Sequence, residues 1–272
     1  MTVPPVLADA PARPPEAGAG PVSDRAGGSA VAAVLRYAAT PVVLGVVLAV
    51  LALYVSRQDL DLIEQRSLNS EYLVSRTVQH LELTLLSTVL ILAVALPLGV
   101  LLTRSRARRF AGPILAVVSI AQALPSIGLI VLLAVGFVSL GVTQIALIAF
   151  VAYGVLPVLR NTIAGLQQVD APVIESARGM GMTPGGILWR IELPLAAPVM
   201  LAGIRTALVI TVGTVALATF IGAGGLGDVI SNGINSSRTL VLVTGSTLVA
   251  VLALFIDWLA GIAEDFLRPR GL

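Results

Sequence analysis

The sequence predicts an all-α integral membrane protein with six membrane-spanning helices. Three observations carry that expectation. Hydrophobic residues make up 57% of the 272 positions and charged residues 12%, with a mean hydropathy of +0.97. The charges are spaced to leave apolar stretches of span length, and the arginines gather on alternate connections. A soluble domain carries about 25% charged residues, so half that charge cannot cover a water-facing globule, and a soluble enzyme or a disordered chain is excluded.

A span needs about 20 apolar residues. Arg36 and Arg57 enclose 20 uncharged residues (37–56), and Glu82 and Arg104 enclose 21 (83–103). Arg109 and Arg160 enclose 50 (110–159), enough for two spans around the turn signal Ser139-Leu140-Gly141-Val142-Thr143. Arg205 to Asp228 leaves 22 and Arg238 to Asp257 leaves 18. Arg104, Arg106, Arg108 and Arg109 crowd one short connection, which the positive-inside rule assigns to the cytoplasm. Alternation then places 12 arginines inside and four outside, with Arg205 left within a span and both termini cytoplasmic.

This reading divides the chain into a disordered Pro-, Ala- and Gly-rich cytoplasmic tail (1–36), an extra N-terminal helix (37–56) and an extracytoplasmic loop (57–82). A helical core (83–262) and a short cytoplasmic tail (263–272) follow. No A-x-A-like site follows the first span, so no cleavage is expected.

The ionisable inventory excludes further chemistry. All 17 basic residues are Arg, so no G-x-x-x-x-G-K-[ST] phosphate loop exists in this chain. Without cysteine and with one histidine, His80, no thiol nucleophile, disulfide or multi-ligand zinc or iron–sulfur site is expected, and no cofactor. A net charge of +2 spread over spans gives no footprint for nucleic acid.

The longest inner connection, 160–197, is the most structured. Asp170 is placed to N-cap a short helix with Pro172 in its first turn, and Gly179 and Gly181 offer the left-handed conformation that ends helices. Thr183-Pro184 starts a second helix, expected to run to Pro194. Two short helices thus meet at a glycine elbow, either as a surface hairpin on lipid headgroups or as a segment approached closely by another chain.

Within this segment Glu175-Ser176-Ala177, then Gly181, then Ile191-Glu192-Leu193-Pro194 resembles the EAA loop of ABC importer permeases, E-A-A-x3-G-x9-I-x-L-P. Ser176 is the one departure, small for small. The resemblance extends over about residues 79–262: His80-Leu81-Glu82-Leu83-Thr84, Gln122-Ala123-Leu124-Pro125-Ser126, Tyr153 to Thr162, Ala202 to Thr206, and Gly222 to Gly227. Together these are similar to the glycine betaine/carnitine/choline branch of such permeases. The resemblance implies a five-helix type I importer core, here with one added helix. It also implies a separate ATP-binding subunit docked on Glu175, Ser176, Ala177, Gly181, Ile191, Leu193 and Pro194, a separate extracytoplasmic substrate-binding protein, and a second permease subunit. The missing phosphate loop agrees with a motor on another chain.

Other residues admit two readings. Gly222, Gly224 and Gly227 satisfy G-x-G-x-x-G, but the strand that a dinucleotide site needs is absent, so an outer loop, flexible or re-entrant, is expected. His80 reads as a polar residue at the membrane interface. Arg205 either snorkels or pairs with a neighbour such as Glu192. Asp257-Trp258 reads as an interfacial anchor. Gln122, Ser126, Tyr153, Asn161 and Thr162 are either helix–helix glue or, with Pro125, a translocation path or its gate, and Pro97, Pro125 and Pro157 free backbone carbonyls in their helices.

The expected function is a permease subunit for a quaternary-ammonium osmoprotectant. Aromatic residues at 4% argue against a complete cation cage in this chain and move selectivity to the receptor. The alternatives are a permease for another small amine or amino acid, an ATP-independent secondary transporter or channel, and a membrane scaffold. Ion-coupled carriers show paired intramembrane carboxylates and repeats, whereas Asp257 is the single candidate found.

Overall fold

The computed structural model describes residues 25–267, with side chains described for 37–266; the remainder of the expected tails lies outside the described residues. The chain separates into a short leading unit, residues 1–39, and a compact unit, residues 40–272. All regular elements among the described residues are helices.

Helix α1 (Arg25–Ser56) begins earlier than expected: residues 25–36, read as tail, are helical. Its alanines favour that conformation intrinsically. The expected loop 57–82 is also largely helical. Asp61 caps α2 (Leu62–Ser67) by accepting from the Ile63 and Glu64 N–H groups, and Glu64 returns a bond to the Asp61 N–H. Asn69 caps α3 (Ser70–Thr103) through the Tyr72 N–H.

The expected third span is broken. A 3₁₀ turn (Arg108–Phe110) leads into α4 (Ala111–Ala123), and α5 (Ser126–Gly136) departs at 99° after Leu124-Pro125. Among the described residues five helices are long and apolar enough to cross a membrane, and six if the bent pair counts as one span.

Helix α6 (Val142–Gln167) is the centre of the bundle, packed along α3 and along α9 (Leu193–Val215). Phe150, Val158 and Leu159 on α6 are fully buried. Close approach rests on small residues: Gly99 of α3 faces Thr162, and Gly203 of α9 faces Asn161 and the Pro157 carbonyl.

The hairpin consists of α7 (Ala171–Gly179), α8 (Pro184–Ile187) and a π-turn (Leu188–Glu192) that runs directly into α9. The second helix therefore does not stop at Pro194. Pro194 lacks the N–H that would reach back one α-turn, and the wider π-turn carries the chain past it.

Beyond α9 the chain tightens into a 3₁₀ stretch (Ala216–Ile221), then passes through the glycine-rich segment to α10 (Gly227–Asn235) and α11 (Thr239–Leu267). Asp257 lies inside α11, not at its end. Among the described residues no cluster of three metal-ligating side chains occurs.

Candidate functional site

Three constellations of polar residues stand out, and α9 touches two of them. The first is the hairpin. Asp170 occupies the N-cap position of α7 but makes no side-chain cap bond, contrary to the sequence reading. The C-terminus is a Schellman motif: the Met182 N–H bonds the Ala177 carbonyl at 3.1 Å, the Gly181 N–H bonds the Arg178 carbonyl at 2.9 Å, and Gly181 has φ +81°. Gly179 stays helical, so Gly181 alone supplies the elbow. Thr183 caps α8 by accepting from the Gly186 N–H at 3.2 Å, as its sequence context predicts.

The hairpin residues fall into two groups. Ala177 and Ile187 are buried and hold the two short helices. Leu193 packs with Leu166, Ala196 and Met200, and Ile191 is partly covered, so both belong to the base of the hairpin. Glu175, Ser176, Gly181 and Pro194 are exposed. Met180 and Trp189 are 75% and 72% exposed, an unusual display of large apolar side chains on a charged connection. The base is tied to α3 by Arg104, whose guanidinium donates to both carboxylate oxygens of Glu192 at 3.2 and 2.5 Å.

The second constellation lies at the α4–α5 break. Pro157 has no N–H, so the carbonyl one turn back, Tyr153 O, loses its helical partner. Gln122 Nε2 donates to that carbonyl at 2.6 Å. The Tyr153 hydroxyl in turn donates to the Leu124 carbonyl, where α4 ends. Two reciprocal bonds thus stitch the proline-containing turn of α6 to the break between α4 and α5. Pro125 and Ser126 begin α5, and Leu124 and Pro125 are exposed. Of the six residues singled out for a path, the structure brings Gln122, Pro125, Ser126 and Tyr153 together. Asn161 and Thr162 lie apart, at the α6 contacts with Gly203 and Gly99.

The third constellation, at the far end of α9, went unrecognised in the sequence. His80, read as a polar residue at the membrane interface, is fully buried within the protein. Its Nε2 faces the Val212 carbonyl at 3.0 Å and its Nδ1 accepts the Leu226 N–H at 3.3 Å. A carbonyl only accepts and an N–H only donates, so this pair of partners assigns the proton to Nε2. Gln79 receives the Gly225 N–H at 3.1 Å and donates to the Ala223 carbonyl at 3.3 Å. Gly224 and Gly225, at φ +89° and +86°, lie directly against these two side chains. Arg76 bridges Gln79 and Asp228 at 2.8 and 2.9 Å, and Thr219 donates to Asp228 at 2.8 Å. The glycine-rich segment, read as a flexible or re-entrant loop, is therefore pinned at each turn.

Arg205 pairs not with Glu192 but with Asp257 of α11, by two bonds of 2.5 and 2.7 Å, and lies 3.6 Å from Glu264. The anchor reading of Asp257 gives way to this pairing, while Trp258 stacks with Phe255.

Comparison with known proteins agrees with this architecture. The MetNI methionine ABC transporter, solved in inward-facing conformations, matches with a TM-score of 0.63 and 25% identity, covering 72% of this chain and 96% of that one. An amino acid ABC transporter crystallised with histidines shares the fold at a TM-score of 0.62 and 17% identity, covering 77% of this chain and all of that one. The choline transport system permease protein OpuBB of Bacillus subtilis is 41% identical over 208 residues, 75% of this chain and 92% of that protein. The osmoprotectant import permease protein OsmW of Salmonella typhimurium is 37% identical over 207 residues, 75% and 95% of the two chains. Residues 95–269 match the family described as the binding-protein-dependent transport system inner membrane component, and this multi-pass membrane protein belongs to that family.

Proposed function

We propose that this chain is the membrane-spanning permease subunit of an ATP-binding-cassette importer for small quaternary-ammonium osmoprotectants such as glycine betaine, choline or carnitine. The observation that carries the reading is the hairpin at 171–192, which presents Glu175, Met180 and Trp189 outward on a rigid base continuous with α9. A separate ATP-binding subunit grips this face, and Glu175, Ser176, Ala177, Gly181, Ile191, Leu193 and Pro194 form or support the contact. The substrate class rests on likeness to permeases named for choline and osmoprotectant transport.

Two permease subunits enclose the path, and an extracytoplasmic receptor delivers substrate to it. The hairpin and both termini are cytoplasmic, so the glycine-rich segment faces outward. The break at Leu124-Pro125, stitched to Tyr153 by Gln122, lines or gates the path together with Ser126. Closure of the ATP-binding subunits moves the hairpins and switches access from outside to inside, each state being favoured by different partners.

The test is co-purification with the ATP-binding subunit, followed by ATP-driven uptake of labelled glycine betaine into proteoliposomes with receptor present. Glu175→Arg with Gly181→Trp removes the docking contact and is expected to abolish both association and uptake while membrane insertion persists. Normal uptake by that variant refutes the docking assignment. A stable wild-type complex without betaine uptake keeps the architecture, refutes glycine betaine as the substrate and moves the choice of substrate to the receptor. Absence of any association returns the chain to an ATP-independent carrier.

A further inference from the structure

Helix α9 joins the hairpin to the 3₁₀ stretch that precedes the glycine-rich segment. With α8, the π-turn and the 3₁₀ stretch it forms a continuous rod from Pro184 to Ile221, 38 residues long. Helix α3 runs beside it and is joined to it by polar contacts at both ends. At the hairpin end Arg104 holds Glu192. At the other end His80 holds the Val212 carbonyl and the Leu226 N–H, separated from Glu192 by the length of the span.

The chemistry of the His80 contact is unusual in what it joins. At the change from α to 3₁₀ winding, the Ala216 N–H turns to the Thr214 carbonyl. Four residues before Ala216 the Val212 carbonyl accepts from His80 Nε2. The other ring nitrogen accepts from the residue that caps α10. One imidazole therefore closes the end of α9 and the start of α10 onto α3, and nothing from solvent reaches it to substitute.

We propose that His80 is a positioning residue for transport. It makes the end of α9, the glycine-rich segment and the outer end of α3 move as one body. A displacement imposed on the hairpin then arrives at the outer face undiminished, instead of being lost in a loop of four glycines between positions 222 and 227. Coupling between distant sites needs such a contiguous rigid element. Gln79 and Arg76 reinforce the joint through Ala223, Gly225 and Asp228. The joint stays closed through the cycle, and gating occurs elsewhere, between subunits or at the α4–α5 break. This inference rests on the importer reading above.

The test uses the complete reconstituted importer and measures uptake per ATP hydrolysed. His80→Leu keeps bulk but removes both bonds; it is expected to lower that ratio by roughly tenfold, within the usual range of coupling between sites, while hydrolysis continues. His80→Gln retains one donor and one acceptor and is expected to restore most of the ratio. An unchanged ratio in His80→Leu, or uptake and hydrolysis falling together, overturns the proposal. A second measurement does not depend on the folding of that variant. The chain has no cysteine, so Tyr72→Cys with Asn232→Cys, an exposed contact between the same end of α3 and α10, can be bridged by a short bis-maleimide. Uptake that survives bridging supports a joint that stays closed, and uptake lost on bridging overturns it. Absence of ATP-driven uptake in the wild type would instead refute the importer reading itself.

Discussion

The ion pair between Arg104 and Glu192 makes an asymmetric prediction. The Glu192 side chain is 9% exposed, whereas Arg104 is 40% exposed. Removing one partner of a buried pair costs about 3–5 kcal/mol because the survivor is stranded away from water. Arg104→Ala strands the Glu192 carboxylate, so a cost near the lower bound, about 3 kcal/mol, is expected. Glu192→Ala leaves a guanidinium that turns outward, and its loss approaches that of a surface pair, about 1 kcal/mol. The double substitution removes the stranded group altogether and is expected to cost about as much as Glu192→Ala alone, far from additive. The assay is reversible unfolding of the purified protein in mixed micelles of increasing dodecyl sulfate, followed by tryptophan fluorescence. Trp189 and Trp258 are the two tryptophans of the chain, so the signal reports on the hairpin base and on α11. Equal costs for the two single variants, or a double variant costing their sum, would refute the argument from exposure.

Three further outcomes are expected in the same assay or in binding. Gln122→Leu leaves the Tyr153 carbonyl without the donor that Pro157 denies it, costing about 2 kcal/mol; adding Pro157→Ala restores a helical N–H and should recover most of that loss. Phe150→Ala empties a fully buried site among Leu83, Ile130 and Val215 and is expected to cost about 3–5 kcal/mol. Thr183→Ala removes the α8 cap, worth about 1 kcal/mol, and should weaken association with the ATP-binding subunit without preventing membrane insertion.

Sequence exposes some of this architecture and hides the rest for physical reasons. Apolar length is a one-dimensional property, so the first span at 37–56 and the core of each later one are readable from charge-free gaps. Local caps are also readable: Thr183-Pro184 and Gly181 act through neighbours within five residues. Long-range partners are not. Arg205 and Asp257 lie 52 residues apart, and His80 and Leu226 lie 146 apart. His80 borders an apolar run, and nothing in that spacing signals that the ring is buried against Val212 and Leu226. Proline is ambiguous in the same way. Pro157 sits within a continuous helix because Gln122 repairs the freed carbonyl, Pro125 marks a complete break, and Pro194 is absorbed by a π-turn. Each outcome depends on what lies alongside, which the spacing of residues does not encode.

The π-turn at Leu188–Glu192 has a geometric consequence. A π-turn holds one residue more than an α-turn. Either closes one turn, so the extra residue is absorbed locally, and deleting one residue there would leave the face that carries Met180 and Trp189 looking in nearly the same direction. A deletion further along α9, where the winding is regular, would rotate everything upstream by about 100° around the helix axis. The π-turn is thus the place in the rod where a change of one residue in length leaves the aim of the hairpin intact.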